Sequence, residues 1–213
     1  MTGSREAVYF TRQELTDESR RFLAGIRNVP YVDPEGRFAL VHGSFVGSED
    51  DNNGRRYEDI YIFEAHDAAY AMHRLCFSDD ESESGWKHVP LGVVGHTHQP
   101  TYAKMWAGYS QGGEGLEFHS PVPESDIEVR HADKPNPQNY GNILWMPKSL
   151  VNFGSVGQPR DGDPRAAWGI FEIDGDKITL HYRRTPYDIA ETQQRMEAAQ
   201  LPRKLIDRLA RGR

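Results

Sequence analysis

The sequence contains a single cysteine, Cys76, among its 213 residues. One cysteine cannot form an intrachain disulfide, so we expect a reducing, cytoplasmic location. The sequence also lacks an apolar stretch long enough to span a bilayer, and its first residues lack the apolar core of a signal peptide. These absences predict a protein that has no membrane partner.

Positive charge is in short supply, because 25 lysines and arginines face 32 aspartates and glutamates and give a formal net charge of -7. An acidic surface repels nucleic-acid backbones and anionic membranes, so we exclude both as main partners. A small anionic substrate is still compatible with this charge if metal cations supply the local positive charge. The length suits one domain with a substantial core.

Two short apolar segments each end in histidine with glycine beside it. Residues 91–94 lead into Gly95, His96 and His98, and residues 38–41 lead into His42. Both segments are typical of buried strands, and we expect Gly95 to provide a sharp turn at the strand end. Imidazoles placed where strands end can converge on metal ions, although hydrogen bonds to neighbouring carbonyls would explain the same histidines.

The remaining pattern alternates helical and strand segments. Helical spacing recurs near residues 7–15, 17–25, 65–77, 188–199 and 202–210, and we expect Phe22 and Leu23 to lie on the buried face of the second helix. Residues 107–141 are rich in glycine, proline, serine, aspartate and asparagine, with short strand candidates at 116–118 and 127–129. Long loops often cover sites, so this segment is interpreted either as a lid or as a surface insertion.

Three segments together resemble a known family. Residues 40–44 (Leu-Val-His-Gly-Ser), 94–98 (Val-Gly-His-Thr-His) and 152–165 (Asn-Phe-Gly-Ser-Val-Gly-Gln-Pro-Arg-Asp-Gly-Asp-Pro-Arg) are similar in order and spacing to the last motifs of the calcineurin-like metallophosphoesterases. The similarity is greatest to a compact prokaryotic branch labelled phosphodiesterase, diadenosine tetraphosphatase or protein phosphatase, and it extends through residues 182–213. This resemblance implies an α/β fold in which helices flank a β-sandwich.

The resemblance also implies a site with two divalent ions, which could be Mn, Fe, Zn or Ni. By position, His42 and His96 would bind the second ion and His98 the first. The ions would activate a water molecule to hydrolyse phosphate mono- or diesters, in small molecules or in phosphoproteins. Arg160 would either contact phosphate or form a structural salt bridge, while Asn152 would fix its loop.

The sequence departs from the family pattern before His42. The Asp-x-His, Gly-Asp and Gly-Asn-His motifs that begin the family are not found there, and the similarity starts at Ala7. We therefore expect a single domain over residues 1–213 that is incomplete at its amino-terminal side, with no identifiable catalytic residue and doubtful activity alone. Phe153 also stands where the family usually has proline.

This departure leaves several interpretations open. The chain could form a homo-oligomer, or a complementing chain could supply the remaining ligands. It could instead be a non-catalytic scaffold or binding protein, or one chain of a split enzyme. A further interpretation is a hydrolase that holds a single zinc ion with His42, His96 and His98.

Overall fold

The computed structural model describes residues 3–26, 30–46, 60–77, 89–105, 115–130, 148–175 and 177–213. The helices are α1 (Gly3–Glu14), α2 (Asp17–Gly25), α3 (Ala65–Phe77), α4 (Ile189–Ala198) and α5 (Arg203–Leu209). The strands are β1 (Tyr31–Val32), β2 (Phe38–Leu40), β3 (Leu91–Val93), β4 (Pro100–Met105), β5 (Leu116–His119), β6 (Ser125–Arg130), β7 (Lys148–Phe153), β8 (Ala166–Asp174) and β9 (Lys177–Thr185).

The strands form two sheets. The larger sheet has the order β1-β2-β3-β7-β4-β5, and the smaller has the order β6-β9-β8. Strands β2, β3 and β7 run parallel to one another, with Leu40 opposite Val93 and Val93 opposite Val151. Their carboxyl ends therefore meet at one edge, and the loops that leave them are neighbours.

Side chains alternate between two buried layers. Leu91 and Val93 face the smaller sheet, where they belong to one apolar cluster with Ile178 and Leu180. Leu150, on the opposite face of the larger sheet, belongs to a second cluster with the apolar side of α3. Two packed sheets with a helix on the outer face of the larger one confirm the predicted α/β sandwich.

The segment 107–141 contributes to both sheets. Its strand candidates correspond to β5, at the edge of the larger sheet, and to β6, in the smaller sheet. Residues 106–114 and 131–147 lie outside the described part of the chain, so the lid interpretation stays a prediction. A deletion across 112–137 would remove both strands and is therefore unsuitable as a test of that interpretation.

The amino-terminal helices differ from the prediction in their burial. Thr16 caps α2 as its type suggests, since its Oγ1 accepts a hydrogen bond from the Ser19 backbone N–H at 3.1 Å. Phe22 and Leu23, however, are 70% and 48% exposed. The expected burial of these two side chains is wrong, because no residue of α2 is buried against another described element.

Within the described ranges, none of the helices has the length and the apolar character needed to cross a membrane.

Candidate metal centre

His42 and His96 lie together at the shared edge of two parallel strands. His42 follows β2 and His96 follows β3, and the Gly95 N–H donates to the His42 carbonyl at 2.8 Å. The side chains meet as well: His96 Nδ1 is 3.1 Å from His42 Nε2, and the rings pack edge to face at 5.0 Å. The structure thus brings together two predicted ligands that are 54 positions apart in the chain.

The positive φ angles of the turn after β3 belong to the histidines, whereas Gly95 allows the backbone to approach the His42 loop closely. His96 and His98 have φ angles of 66° and 60°, in the left-handed region that L-residues rarely adopt. A Cβ on Gly95 would lie 3.3 Å from the His42 carbonyl oxygen. The expectation that Gly95 makes the turn is corrected: Gly95 lets two loops touch, and the two histidines carry the backbone strain. Such strain concentrates at functional sites.

His98 is held by a neighbouring loop in a single tautomer. Its Nδ1 lies 2.7 Å from the carbonyl oxygen of Gln158, which can only accept, so Nδ1 carries the proton. Burial lowers the pKa of His98, and the nearby charge of Arg160 lowers it further, against the opposing effect of the Gln158 carbonyl. The imidazole is therefore neutral with Nε2 available as an acceptor, which is the state that a metal ligand requires.

Asn152 ties the histidine loop to the end of β7. Its side chain is 2% exposed, and Nδ2 donates to the carbonyl of Gly95 at 2.8 Å and to Thr97 Oγ1 at 2.9 Å. Its Oδ1 accepts the Gly154 N–H at 2.8 Å. All of these partners are protein atoms of the two loops, so the amide has the loop-fixing contacts that the sequence suggested.

Arg160 lies directly beside His98. Its backbone N–H donates to the His98 carbonyl at 3.1 Å, and its guanidinium donates to Gln158 Oε1 at 2.8 and 3.3 Å. Among the residues that the structure describes, no carboxylate forms an ion pair with Arg160. Its charge is therefore not neutralised there by the structural salt bridge that was one of the two expectations.

An ion pair that the sequence did not predict fixes the loop between β7 and β8. Asp161 pairs with Arg184 of β9, and each side chain is only 4% exposed. The Gly162 N–H also donates to the carbonyl of Gly212 at 2.9 Å, which docks the turn after α5 on the same loop. The available signal was a carboxylate in a Pro- and Gly-rich loop together with an arginine in an otherwise alternating strand, but this pattern does not identify the partner.

Two aromatic residues next to His96 were also missed. The Tyr61 ring lies 3.8 Å from the His96 ring, and the Phe63 ring is nearly parallel to Tyr61 at 5.1 Å. Sequence reasoning passed over them because they precede α3 without any motif. The signal, if any, was that two aromatic side chains flank the apolar Ile62 in an extended segment.

The ring nitrogens of His42 and His96 have a spacing suited to one metal ion. With metal–nitrogen bonds of about 2.1 Å, two ligands on one ion are separated by about 3.0 Å at a right angle and by about 3.4 Å at the tetrahedral angle. The observed 3.1 Å lies between these values. Without an ion, the same contact is an N–H···N hydrogen bond between the two rings.

His98 does not join this pair. Within the described residues, no group of three or more His, Cys, Asp or Glu side chains is arranged to hold one metal ion. This geometry does not favour a single zinc ion held by all three histidines. The assignment of His42 and His96 to one ion and of His98 to another therefore stays a prediction of the family resemblance.

Comparison with known proteins supports the fold. No family model matches the chain. A metallophosphoesterase from Sphaerobacter thermophilus, known from its crystal structure, has 32% sequence identity and a TM-score of 0.65, and the match covers 96% of this chain and 65% of that protein. The hypothetical protein PH1004 from Pyrococcus horikoshii shares the fold, with a TM-score of 0.53 at 14% identity, over 96% of this chain and 64% of that one.

A shorter match is confined to part of the chain. Uncharacterized protein MJ0912 of Methanocaldococcus jannaschii is 42% identical over 66 residues, which is 31% of this chain and 26% of that protein. The chain thus spans less than two thirds of the length of each of these proteins. The two-sheet sandwich and the similarity to a metallophosphoesterase over 96% of the chain support, at the level of the fold, the resemblance of the three sequence motifs to the calcineurin-like metallophosphoesterase superfamily.

Proposed function

We propose that this chain provides the histidine side of a metal-dependent phosphoesterase site, which hydrolyses phosphate mono- or diesters when its remaining ligands are in place. The observation that carries the proposal is the 3.1 Å approach of His42 Nε2 and His96 Nδ1 at the edge of a metallophosphoesterase sheet. His42 and His96 would hold one divalent ion, and His98 would hold a second. Mn, Fe, Zn and Ni all suit a site of imidazoles and carboxylates.

Three further residues of the site have specific roles in this proposal: Gln158, His98 and Arg160. Divalent ions held by His42, His96 and His98 would lower the pKa of a water molecule and polarise the phosphoryl oxygens. The Gln158 carbonyl accepts the Nδ1–H of His98, so that Nε2 of His98 faces the ligand as a lone pair. The guanidinium of Arg160 binds a phosphoryl oxygen of the substrate through charge-assisted hydrogen bonds. No described residue is assigned as a general acid.

A second candidate function follows from the incomplete ligand set. The described residues contain no group of three metal-binding side chains, which favours a non-catalytic scaffold or one chain of a split enzyme over a self-sufficient site. In the first candidate, the missing carboxylates come from residues outside the described ranges, from a second copy of the chain or from a complementing chain. A cytoplasmic location and a phosphate-ester or phosphoprotein substrate are likewise proposals.

Metal binding by single-histidine variants tests the first candidate. The protein is stripped with a chelator, loaded with Mn²⁺ or Zn²⁺, and dialysed, and the bound metal is counted by mass spectrometry beside hydrolysis of bis(p-nitrophenyl) phosphate. We expect His96→Ala and His98→Ala each to lose bound metal, and hydrolysis, where present, to fall in parallel. His66→Ala is the matched control, because His66 is 76% exposed and pairs with Glu64 and Asp67 near the start of α3.

Two results would decide between the candidates. Equal metal content in His96→Ala and the wild-type chain would overturn the phosphoesterase proposal. An unfolding temperature that is unchanged by chelator, together with a metal content of zero, would favour the scaffold.

A further inference from the structure

Two exposed aromatic rings adjoin the candidate metal centre. Tyr61 is 41% exposed and Phe63 is 47% exposed, although both are large apolar side chains. Their rings are parallel to within 7°, and the Tyr61 ring contacts His96 at 3.8 Å. A continuous row of rings therefore runs from solvent to a predicted metal ligand. Core packing does not account for the row, because about half of each aromatic residue is open to solvent.

The segment that carries these rings is fixed on both sides. Ile62, between them, is 4% exposed and belongs to the apolar cluster under α3. The backbone N–H groups of Phe63 and Glu64 donate to Asp67 Oδ2 at 3.0 and 3.1 Å, which anchors the segment to the first turn of α3. Because Ile62 points inward, the two rings point outward together. Binding a flat ligand here would cost little conformational entropy.

We propose that Tyr61 and Phe63 form an aromatic platform that stacks the base of a nucleotide whose phosphate lies at the histidines. This inference rests on the proposed function and narrows its substrate class to phosphate esters of nucleosides. Bases stack on aromatic side chains with little dependence on base identity. The platform and the phosphate site are adjacent, so one small ligand can occupy both.

The net charge of the chain favours a free nucleotide over a polynucleotide as the ligand. With a formal net charge of -7, the protein repels the repeated phosphates of a polynucleotide and has no electrostatic affinity for RNA or DNA. A free mononucleotide or dinucleotide carries few charges, and divalent ions at the site compensate them. The occupant is therefore a free nucleotide rather than RNA or DNA.

Paired ligands test the platform directly. The dissociation constants of adenosine 5′-monophosphate and ribose 5-phosphate are measured by titration calorimetry on the full chain loaded with Mn²⁺, since the two differ only by the base. Stacking on aromatic side chains is expected to favour the nucleotide by about 5- to 150-fold. Tyr61→Leu and Phe63→Leu should each shrink this preference, and the double variant should reduce it to near unity.

The controls separate stacking from metal binding and from folding. Tyr70→Leu removes a tyrosine of α3 that is 59% exposed, and it should keep the full preference. Phe63→Leu should keep the wild-type metal content, because Phe63 makes its ring contact with Tyr61 and not with a predicted ligand. Both platform residues are exposed, so the variants are expected to fold, and their unfolding temperatures check this.

The outcomes distinguish this inference from the proposed function. Equal affinity of the wild-type chain for the two ligands, or binding of neither, would overturn the platform even if the chain hydrolysed phosphate esters. A base preference that depends on Tyr61 and Phe63 would support the platform even if the chain hydrolysed nothing. An unchanged preference in the double variant would place the base elsewhere and would also overturn the inference.

Discussion

The two halves of the candidate site are held by different kinds of contact. The anchored half, which contains His98, Asn152, Gln158 and Arg160, is fixed by directional hydrogen bonds between two loops. The open half, which contains His42, His96, Tyr61 and Phe63, consists mainly of ring contacts and is open to solvent.

This difference shows where each half obtains its geometry. Buried hydrogen bonds are costly to break, because leaving a buried donor or acceptor unsatisfied lowers the free energy of unfolding by about 1–3 kcal/mol. Aromatic contacts at an exposed surface are weaker and less directional. The fold therefore determines the anchored half, whereas a bound ion or ligand has more influence on the final positions of the rings in the open half.

The largest expected effect on stability comes from breaking the buried Asp161–Arg184 ion pair, which fixes the loop of the anchored half. Arg184→Met leaves the Asp161 carboxylate buried without its cation, since both side chains are 4% exposed. Breaking one partner of a buried ion pair costs about 3–5 kcal/mol in the free energy of unfolding. Urea denaturation followed by circular dichroism measures this loss.

The neighbouring arginine provides the matched control. Arg183 pairs with Asp126, whose side chain is 57% exposed, on the outer face of the smaller sheet. Arg183→Met should cost less than about 1 kcal/mol, as surface ion pairs do. Equal losses for the two variants would show that burial of the Asp161 pair is not what stabilises the anchored half.

A smaller effect compares the two halves directly. Asn152→Ala removes the hydrogen bonds to the Gly95 carbonyl and to Thr97 Oγ1, leaves the Gly154 N–H without its Asn152 partner, and should lower the free energy of unfolding by about 2–3 kcal/mol. Tyr61→Leu in the open half removes two exposed ring contacts, with His96 and Phe63, and should cost no more than about 1.5 kcal/mol. Urea denaturation of both variants gives the comparison, and a larger loss for Tyr61→Leu would reverse the assignment of rigid and open halves.

The sequence predicted those parts of the site whose signal is local. An apolar run followed by histidine and glycine placed His42, His96 and His98 at strand ends, and the glycines and prolines after Asn152 predicted a winding loop. Helix α2 could likewise be predicted from Thr16 and the acidic residues after it.

Features that depend on distant partners could not be predicted in this way. The pairing of Asp161 with Arg184, and the contact of Tyr61 with His96, join residues whose spacing has no periodicity. Periodicity also placed Phe22 on a buried face, but burial requires a second layer, and the described residues place none there. The left-handed conformation of His96 could not be predicted either, because residues other than glycine rarely adopt it and the sequence pattern carries no signal for it.

The smallest expected effect concerns proton binding by two histidines with opposite environments. Burial lowers the pKa of His98 below its ordinary 6.5, whereas the hydrogen bonds that His181 donates to the carboxylates of Asp126 and Glu172 raise the pKa of His181 above it. In the metal-free chain, NMR titration of the imidazole protons should give midpoints on opposite sides of 6.5. His98 should therefore reduce stability as the pH falls below 6.5, while the stabilisation from His181 is present below 6.5 and is lost as the pH rises through its folded pKa.

Salt and a single substitution separate the two causes. The carboxylates beside His181 are 57% and 70% exposed, so high salt should move its midpoint back toward 6.5, and Asp126→Asn should do the same. Asp126→Asn should leave the midpoint of His98 in place, and high salt should move it less than that of His181, because desolvation, the largest cause of the lowered pKa of His98, is not screened by ions. A midpoint of His98 that moves with salt as far as that of His181 would mean that charge and not burial mainly sets its pKa, and the anchored half would then be as open to solvent as the rings around His42.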